Sequence, residues 1–132
     1  MKVLILGSNG LVGSSLVRKF NSNSLFKEVI ASNRNSLDLF DLKSVKQAIS
    51  EIQPNYIINA AAKVGGILAN NTQRVEFLTE NLKINLNILE SVISNKNIKV
   101  INLGSSCIYP LDAENPIKED YFMSGKLEPT NS

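Results

Sequence analysis

Three short segments hold the residues whose types and spacing could do chemistry. The first is Gly7-Ser8-Asn9-Gly10-Leu11-Val12-Gly13, a Gly-x-x-Gly-x-x-Gly spacing between an aliphatic run and an amphipathic one. Glycines in such a loop serve three needs: a tight turn off a strand, close approach of backbone to a pyrophosphate, and close packing of the next helix. Free N–H groups at the helix start then meet the phosphates. The triplet alone is a weak signal. Its place between a strand and a helix, with further βα units behind it, makes nucleotide binding the expectation over a purely structural turn.

The second segment is Ser32-Asn33-Arg34, at the end of the next apolar run. A site that prefers NAD usually carries an Asp or Glu there for the ribose hydroxyls. No carboxylate stands at these three positions, and Arg34 can pair with a 2′-phosphate. NADP is therefore expected rather than NAD, against the plain reading of Arg34 as an exposed turn residue. Asp38 and Leu39 are then placed to meet the adenine, with a simple turn as the competing role for Asp38.

The third segment is Gly104-Ser105-Ser106-Cys107. A serine at the carboxyl end of a strand can hydrogen-bond a reacting carbonyl. A thiolate there can move a proton at the neighbouring carbon. The bland alternative for Cys107 is a small buried apolar residue, the commoner fate of a free cysteine.

The elements that must position these residues follow from hydrophobic periodicity. Residues 2–6 are aliphatic and end at Gly7, as a strand buried on both faces does. Residues 11–20 have helical spacing through Leu11, Val12, Leu16, Val17 and Phe20. Residues 28–32 are the second strand and 37–40 a short third one. Asp41 is well placed to cap a helix over 42–52, which Pro54-Asn55 ends. The fourth strand is 56–61, and 63–71 is a glycine-containing loop. A long helix is expected from about 72 to 95, and the fifth strand is 99–103. From 111 onward the chain is polar and reads as loop.

That long helix has two apolar stripes. One runs through Val75, Leu78, Leu82, Leu86, Leu89 and Ile93, the other through Phe77, Ile84, Ile88 and Val92. One stripe covers the sheet; the other needs a second cover, either a partner subunit or more of the same chain.

Alternating strands and helices predict an α/β fold with a doubly wound parallel sheet of the Rossmann type. The expected strand order is 3-2-1-4-5, incomplete because a sixth strand is missing. The fifth strand would then be an unpaired edge.

Composition narrows the function. The 132 residues carry a net charge of +2, one cysteine and no histidine. They suit one domain. A disulfide framework is excluded within the chain and a zinc site is not expected. Without a basic cluster or an aromatic stacking series, nucleic acid is not an expected partner. No apolar run approaches the ~20 residues of a membrane span, so no membrane partner is expected. The short run before Gly7 is not a signal sequence, and the cytoplasm is the expected compartment.

These pieces resemble the extended short-chain dehydrogenase/reductase family. The likeness covers essentially the whole chain in order. Two segments carry it most specifically and point to the branch that works on GDP-bound keto sugars. One is Ala60-Ala61-Ala62-Lys63-Val64-Gly65-Gly66-Ile67-Leu68-Ala69-Asn70-Asn71. The other is Leu103-Gly104-Ser105-Ser106-Cys107-Ile108-Tyr109-Pro110, continued by Leu127-Glu128-Pro129-Thr130-Asn131.

The resemblance implies a two-stage reaction on GDP-4-keto-6-deoxy-mannose. Inversion at C3 and C5 is followed by hydride delivery from NADPH to C4, giving GDP-L-fucose. Ser105 would hydrogen-bond the C4 oxygen, and Cys107 would be the acid/base of epimerisation. Gly7 to Gly13 match the pyrophosphate loop. Arg34, Asn35, Ser36, Leu37, Asp38 and Leu39 match the adenosine-phosphate contacts. Ala61 and Ala62 belong to the cofactor site, and Leu103, Gly104, Ser105 and Ser106 line its nicotinamide side. The resemblance also implies a homodimer through the 72–95 helix.

The family's active-site tyrosine, and a lysine four residues beyond it, would come shortly after Asn131. Its catalytic histidine and its C-terminal substrate domain would come later still. The expectation is that residues 1–132 are a partial cofactor-binding domain that does not turn over alone, since nothing in it protonates the alkoxide. Two alternatives remain open: another sugar-nucleotide epimerase, dehydratase or reductase of the same family, and a short non-catalytic NADP-binding module.

Overall fold

The computed structural model describes residues 1–129. It begins with β1 (Lys2–Leu6), whose Val3, Leu4, Ile5 and Leu6 are all buried. β1 is central, so neither of its faces reaches water, and that is why the run is aliphatic without alternation. It feeds α1 (Leu11–Asn21) through the glycine loop. Next come β2 (Glu28–Ser32), α2 (Leu42–Ile52) and β3 (Tyr56–Asn59). α3 (Ile67–Thr72), α4 (Arg74–Val92) and β4 (Lys99–Asn102) complete the regular elements apart from two short 3-10 turns.

The sheet is parallel, in the order β2-β1-β3-β4. Val3 faces Val29 on one side and Tyr56 on the other, and Tyr56 faces Lys99. Side chains alternate along β1 and divide the core in two. Leu4, Leu6 and Ile57 meet Val45 and Ile49 of α2 and Ile84, Ile88 and Val92 of α4. Val3, Ile5 and Ile58 meet Leu16, Val17 and Phe20 of α1, with Phe26 beside them. Each such fully buried aliphatic side chain contributes roughly 1.5–3 kcal/mol.

Asp41 caps α2 as its position predicts, accepting from the N–H groups of Lys43 (3.1 Å) and Ser44 (3.2 Å). The Ser44 hydroxyl and the Lys43 N–H hold its carboxyl below the usual range.

Three expectations need correction. Residues 37–40 are not a strand, so the described sheet has four strands and lacks the outer one of the 3-2-1-4-5 order. Local side-chain bonds win there: Asp38 accepts the Phe40 N–H at 2.8 Å, which bends the backbone away from a ladder. Leu37 is buried in the core from that bend. The loop over 63–71 contains the short helix α3. The long helix over 72–95 is broken at Gln73 and spans only Arg74–Val92. At that joint the Thr72 hydroxyl bonds back to the Leu68 carbonyl (2.9 Å), and Gln73 leaves helical geometry at φ −125°. Thr130 and Asn131 lie outside the described residues.

Candidate functional site

The carboxyl ends of β1, β2 and β3 open into one cleft of about 270 Å³. Of the expected residues, Gly7, Asn9, Gly10, Arg34, Asn35, Leu37, Asp38, Leu39, Ala61 and Ala62 line it. Ser32 and Asn33 of the second segment line it with Arg34, and so do Leu6, Phe40, Ala60 and Ile84, for which sequence reasoning predicted no role in the site. Ala60 adjoins the named Ala61-Ala62 pair, so the strand-end rule could have found it. Ile84 reaches the cleft from α4, and no local signal marks it.

Gly7 sits at φ +77°, and a Cβ there would lie 2.7 Å from the Ala60 carbonyl oxygen. Both the backbone conformation and the closeness of β3's exit demand glycine. A Cβ on Gly13 would overlap the Gly7 carbonyl oxygen, so the third glycine is what lets α1 sit against the loop. Gly10 is the N-cap of α1 and offers no side-chain acceptor. The first-turn N–H groups, which have no partner within a helix, are left for an anion. Ser8 is buried, and its N–H donates to the Ser32 carbonyl at 2.9 Å, tying the loop to β2. Leu11, Val12 and Gly13 do not line the cleft; Leu11 and Val12 are exposed where their helical spacing suggested packing.

Past β2 the chain makes a tight turn. The Asn33 N–H donates to the Ser36 hydroxyl (2.9 Å), which donates to the Asn33 carbonyl (3.0 Å). Ser36 therefore shapes the loop and does not line the cleft. Arg34 stands at the tip of this turn, exposed, and makes no hydrogen bond or ion pair among the described residues. An unpaired guanidinium on the wall of a cleft is suited to a phosphate. With the glycine cradle and the uncapped helix start, these residues fit a dinucleotide carrying a 2′-phosphate.

Leu103, Gly104, Ser105, Ser106 and Cys107 follow β4 along the same edge of the sheet, one strand beyond the cleft wall, and do not line it. Ser105 accepts the Cys107 N–H at 3.2 Å and so caps the single 3-10 turn Ser106–Ile108. Its hydroxyl proton stays available to a substrate oxygen. Cys107 is free and exposed, not the small core residue of the bland reading. Among the described residues no cluster of three or more His, Cys, Asp or Glu could hold a metal, and no helix is long and apolar enough to cross a membrane.

The loop after β3 is clamped by α4. The Lys63 N–H donates to Asn81 Oδ1 (2.7 Å), and Asn81 Nδ2 donates to the Lys63 carbonyl (3.0 Å). Lys63 also pairs with Glu80 at 2.7 Å and lies 5.4 Å from the Phe77 ring centre. Gly65 leaves room for that ring, which a Cβ would meet at 2.9 Å. Ala62 lines the cleft, and Lys63 and Gly65, which follow it, are held against α4 by these neighbours.

The chain is similar to known proteins. The chain is 41% identical over 130 residues to a GDP-L-fucose synthase of Sinorhizobium fredii, covering 98% of this chain and 41% of that protein. It is 39% identical over 131 residues to a GDP-L-colitose synthase of Yersinia pseudotuberculosis, covering 99% and 42%. The structure of MlghC, a GDP-mannoheptose C4 reductase from Campylobacter jejuni with NADP bound, superimposes with a TM-score of 0.85 at 33% identity, covering 98% of this chain and 38% of that one. The chain spans about two-fifths of the length of these relatives. The model of the NAD dependent epimerase/dehydratase family matches residues 3–132, and the chain belongs to that family.

Proposed function

We propose that this chain is the NADP-binding part of an enzyme that converts GDP-4-keto-6-deoxy-mannose to GDP-L-fucose. The reaction is 3,5-epimerisation followed by 4-reduction. One observation carries the reading: the glycine loop, the unpaired Arg34 and the Ser105–Cys107 turn share one edge of one sheet. The similarity to GDP-L-fucose synthase over 98% of the chain supports it. Because the relatives are more than twice as long, the reaction belongs to a protein of their length.

The cofactor, when bound, supplies hydride to a carbonyl carbon. The chain's own residues bind the cofactor and hold the reacting carbonyl, and the proton that completes the reduction comes from elsewhere in a protein of the relatives' length. The first turn of α1 and the glycine loop bind the pyrophosphate, and Arg34 the 2′-phosphate. Asp38 and Leu39 flank the adenine. Leu103, Gly104 and Ser106 border the nicotinamide. Ser105 donates its hydroxyl proton to the sugar C4 oxygen and thereby favours negative charge on it, which also acidifies the C–H groups at C3 and C5. Cys107, two residues away on the same turn, exchanges a proton with those carbons on one face, and inversion needs a second acid of the longer protein on the opposite face.

The test uses the protein at the length of its relatives. Cys107→Ser is expected to slow deuterium uptake at C3 and C5 by about 10²–10⁴-fold, with reduction of the already epimerised keto sugar less affected. Unchanged uptake would refute the role. The near-equal similarity to a GDP-L-colitose synthase favours a second reading, reduction of a different GDP-bound keto sugar. Comparing kcat/KM across GDP-keto sugars separates the two.

The proposal includes a homodimer. On α4 and its C-cap the stripe Val75, Leu78, Leu82, Leu86, Leu89 and Ile93 is exposed, while Ile84, Ile88 and Val92 are buried against the sheet. The exposed stripe runs about 27 Å along the helix. A straight apolar stripe of this kind can pair with its own copy about a two-fold axis.

A further inference from the structure

At the end of β3 the sheet carries a polar side chain where its neighbours are aliphatic. Asn59 is 4% exposed, on the same face as Ile57 and beneath α4. Its carboxamide makes three bonds. Oδ1 accepts the Ala61 N–H at 3.1 Å, and Nδ2 donates to Asn102 Oδ1 at 2.7 Å and to Asn85 Oδ1 at 3.1 Å. Both amide protons and one oxygen are thus used, and they reach three different elements. Asn102 is the register partner of Asn59 and the last residue of β4. Asn85 donates onward to the Asn81 carbonyl at 2.9 Å, and the Asn81 side chain is the clamp on Lys63.

The two ends of this ladder matter. Ala60 and Ala61 form the cleft wall on which Gly7 closes, with its Cα hydrogen turned toward the Ala60 carbonyl. Asn102 is the last β4 residue before the exit that carries Ser105 and Cys107. An apolar side chain at 59 would bury just as well and would avoid the cost of desolvating that carboxamide. What an apolar side chain cannot do is hold the Ala61 amide or tie β3's exit to that of β4 through the exposed Asn102. Buried polar side chains that are fully bonded specify one arrangement of their surroundings.

We propose that Asn59 is a positioning residue, setting the Ala60-Ala61 wall of the cofactor cleft and locking it to the β4 exit through Asn102. This rests on the NADP reading above and adds a residue that touches neither cofactor nor substrate.

The test compares Asn59→Leu and the double variant Asn59→Leu/Asn102→Leu with the unchanged protein at full natural length. Asn102 is exposed, so its carboxamide meets water when Asn59 is replaced, and the double variant removes the link to β4 together with the Asn59 acceptor. Two quantities are read: amide exchange at Ala61 without cofactor, and the Kd for NADPH and for NADH. Loss of the Asn59 acceptor should speed Ala61 exchange about tenfold. It should raise both Kd values by about fivefold, the effect of one hydrogen bond. Asn102→Leu alone leaves the Ala61 bond in place; it should lower kcat while the NADPH Kd stays within about twofold. A folded Asn59 variant with unchanged Ala61 exchange and unchanged Kd overturns the proposal. If the unchanged protein binds no NADPH, the cofactor reading fails instead, and Ala61 exchange still decides the role of Asn59.

Discussion

Arg34 offers the sharpest test of the cofactor assignment. Its guanidinium is exposed at the tip of the turn after β2 and makes no ion pair or hydrogen bond among the described residues. Replacing it with serine removes no contact that holds the fold, because the turn is built by Ser36 and Asn33. Stability should therefore stay within about 0.5 kcal/mol, as for a surface substitution. Binding should not be so indifferent. A hydrogen bond to a charged group contributes about 1.5–3 kcal/mol. At about 1.4 kcal/mol per tenfold, that is roughly 10–150-fold in Kd. The exposure of Arg34 favours the lower part of the range, since solvent and salt screen the pair. NADH lacks the 2′-phosphate, so its Kd should move less than about threefold on the same principle of lost contacts. Fluorescence titration of both cofactors at low and high salt reads this directly. The NADPH penalty should shrink as salt rises. An equal loss for both cofactors, or no loss for either, refutes the reasoning.

Gly13→Ala drives a methyl group into the Gly7 carbonyl, so α1 must move off the loop. Overpacking of this kind costs about 1–3 kcal/mol, and urea denaturation should show it. Gly66→Ala, with nothing within 4 Å of the new carbon, should be close to neutral in the same assay. Leu82→Glu with Leu86→Glu charges the exposed stripe of α4; if the proposed homodimer forms there, light scattering should report a dimer for the unchanged protein and a monomer for the variant. Asp41, whose carboxyl is held below its ordinary range by the Ser44 hydroxyl and then the Lys43 N–H, stabilises α2 fully above that ordinary range. The contribution is lost as pH falls through the lowered value, so Asp41→Asn should flatten the acid side of a urea-midpoint profile.

The parts of this fold that were readable are those where a local rule and the tertiary context agree. β1 is aliphatic because it is central, and Gly7 stops it because only a positive φ turns the chain there. Asp41 caps α2 by its position alone. Residues 37–40 misled because two leucines and a phenylalanine resemble a strand. The side chains between and beside them bond their own backbone instead. Gln73 lies just before Val75, where the apolar stripe begins, so periodicity could not mark the break. The asparagines were the largest omission. Asn59, Asn85 and Asn102 lie far apart in the chain and look like ordinary polar residues. Only the pairing of β3 with β4 and the descent of α4 bring Asn102 and Asn85 within 3.1 Å of Asn59.

The strand order has a consequence for how the chain comes together. No two neighbouring strands of this sheet are joined by a hairpin, and β1, made first, rests between partners made later: Val3 needs Val29 and then Tyr56. Parallel pairs of this kind close long loops before they gain contacts, which makes assembly slow. On a ribosome, β1 and the turn after it would emerge as an aliphatic run without a floor until Ala60 follows. The glycine loop is therefore completed late although it is synthesised early. A nascent chain arrested before residue 56 should present β1 to chaperones, and one arrested well past residue 61 should not.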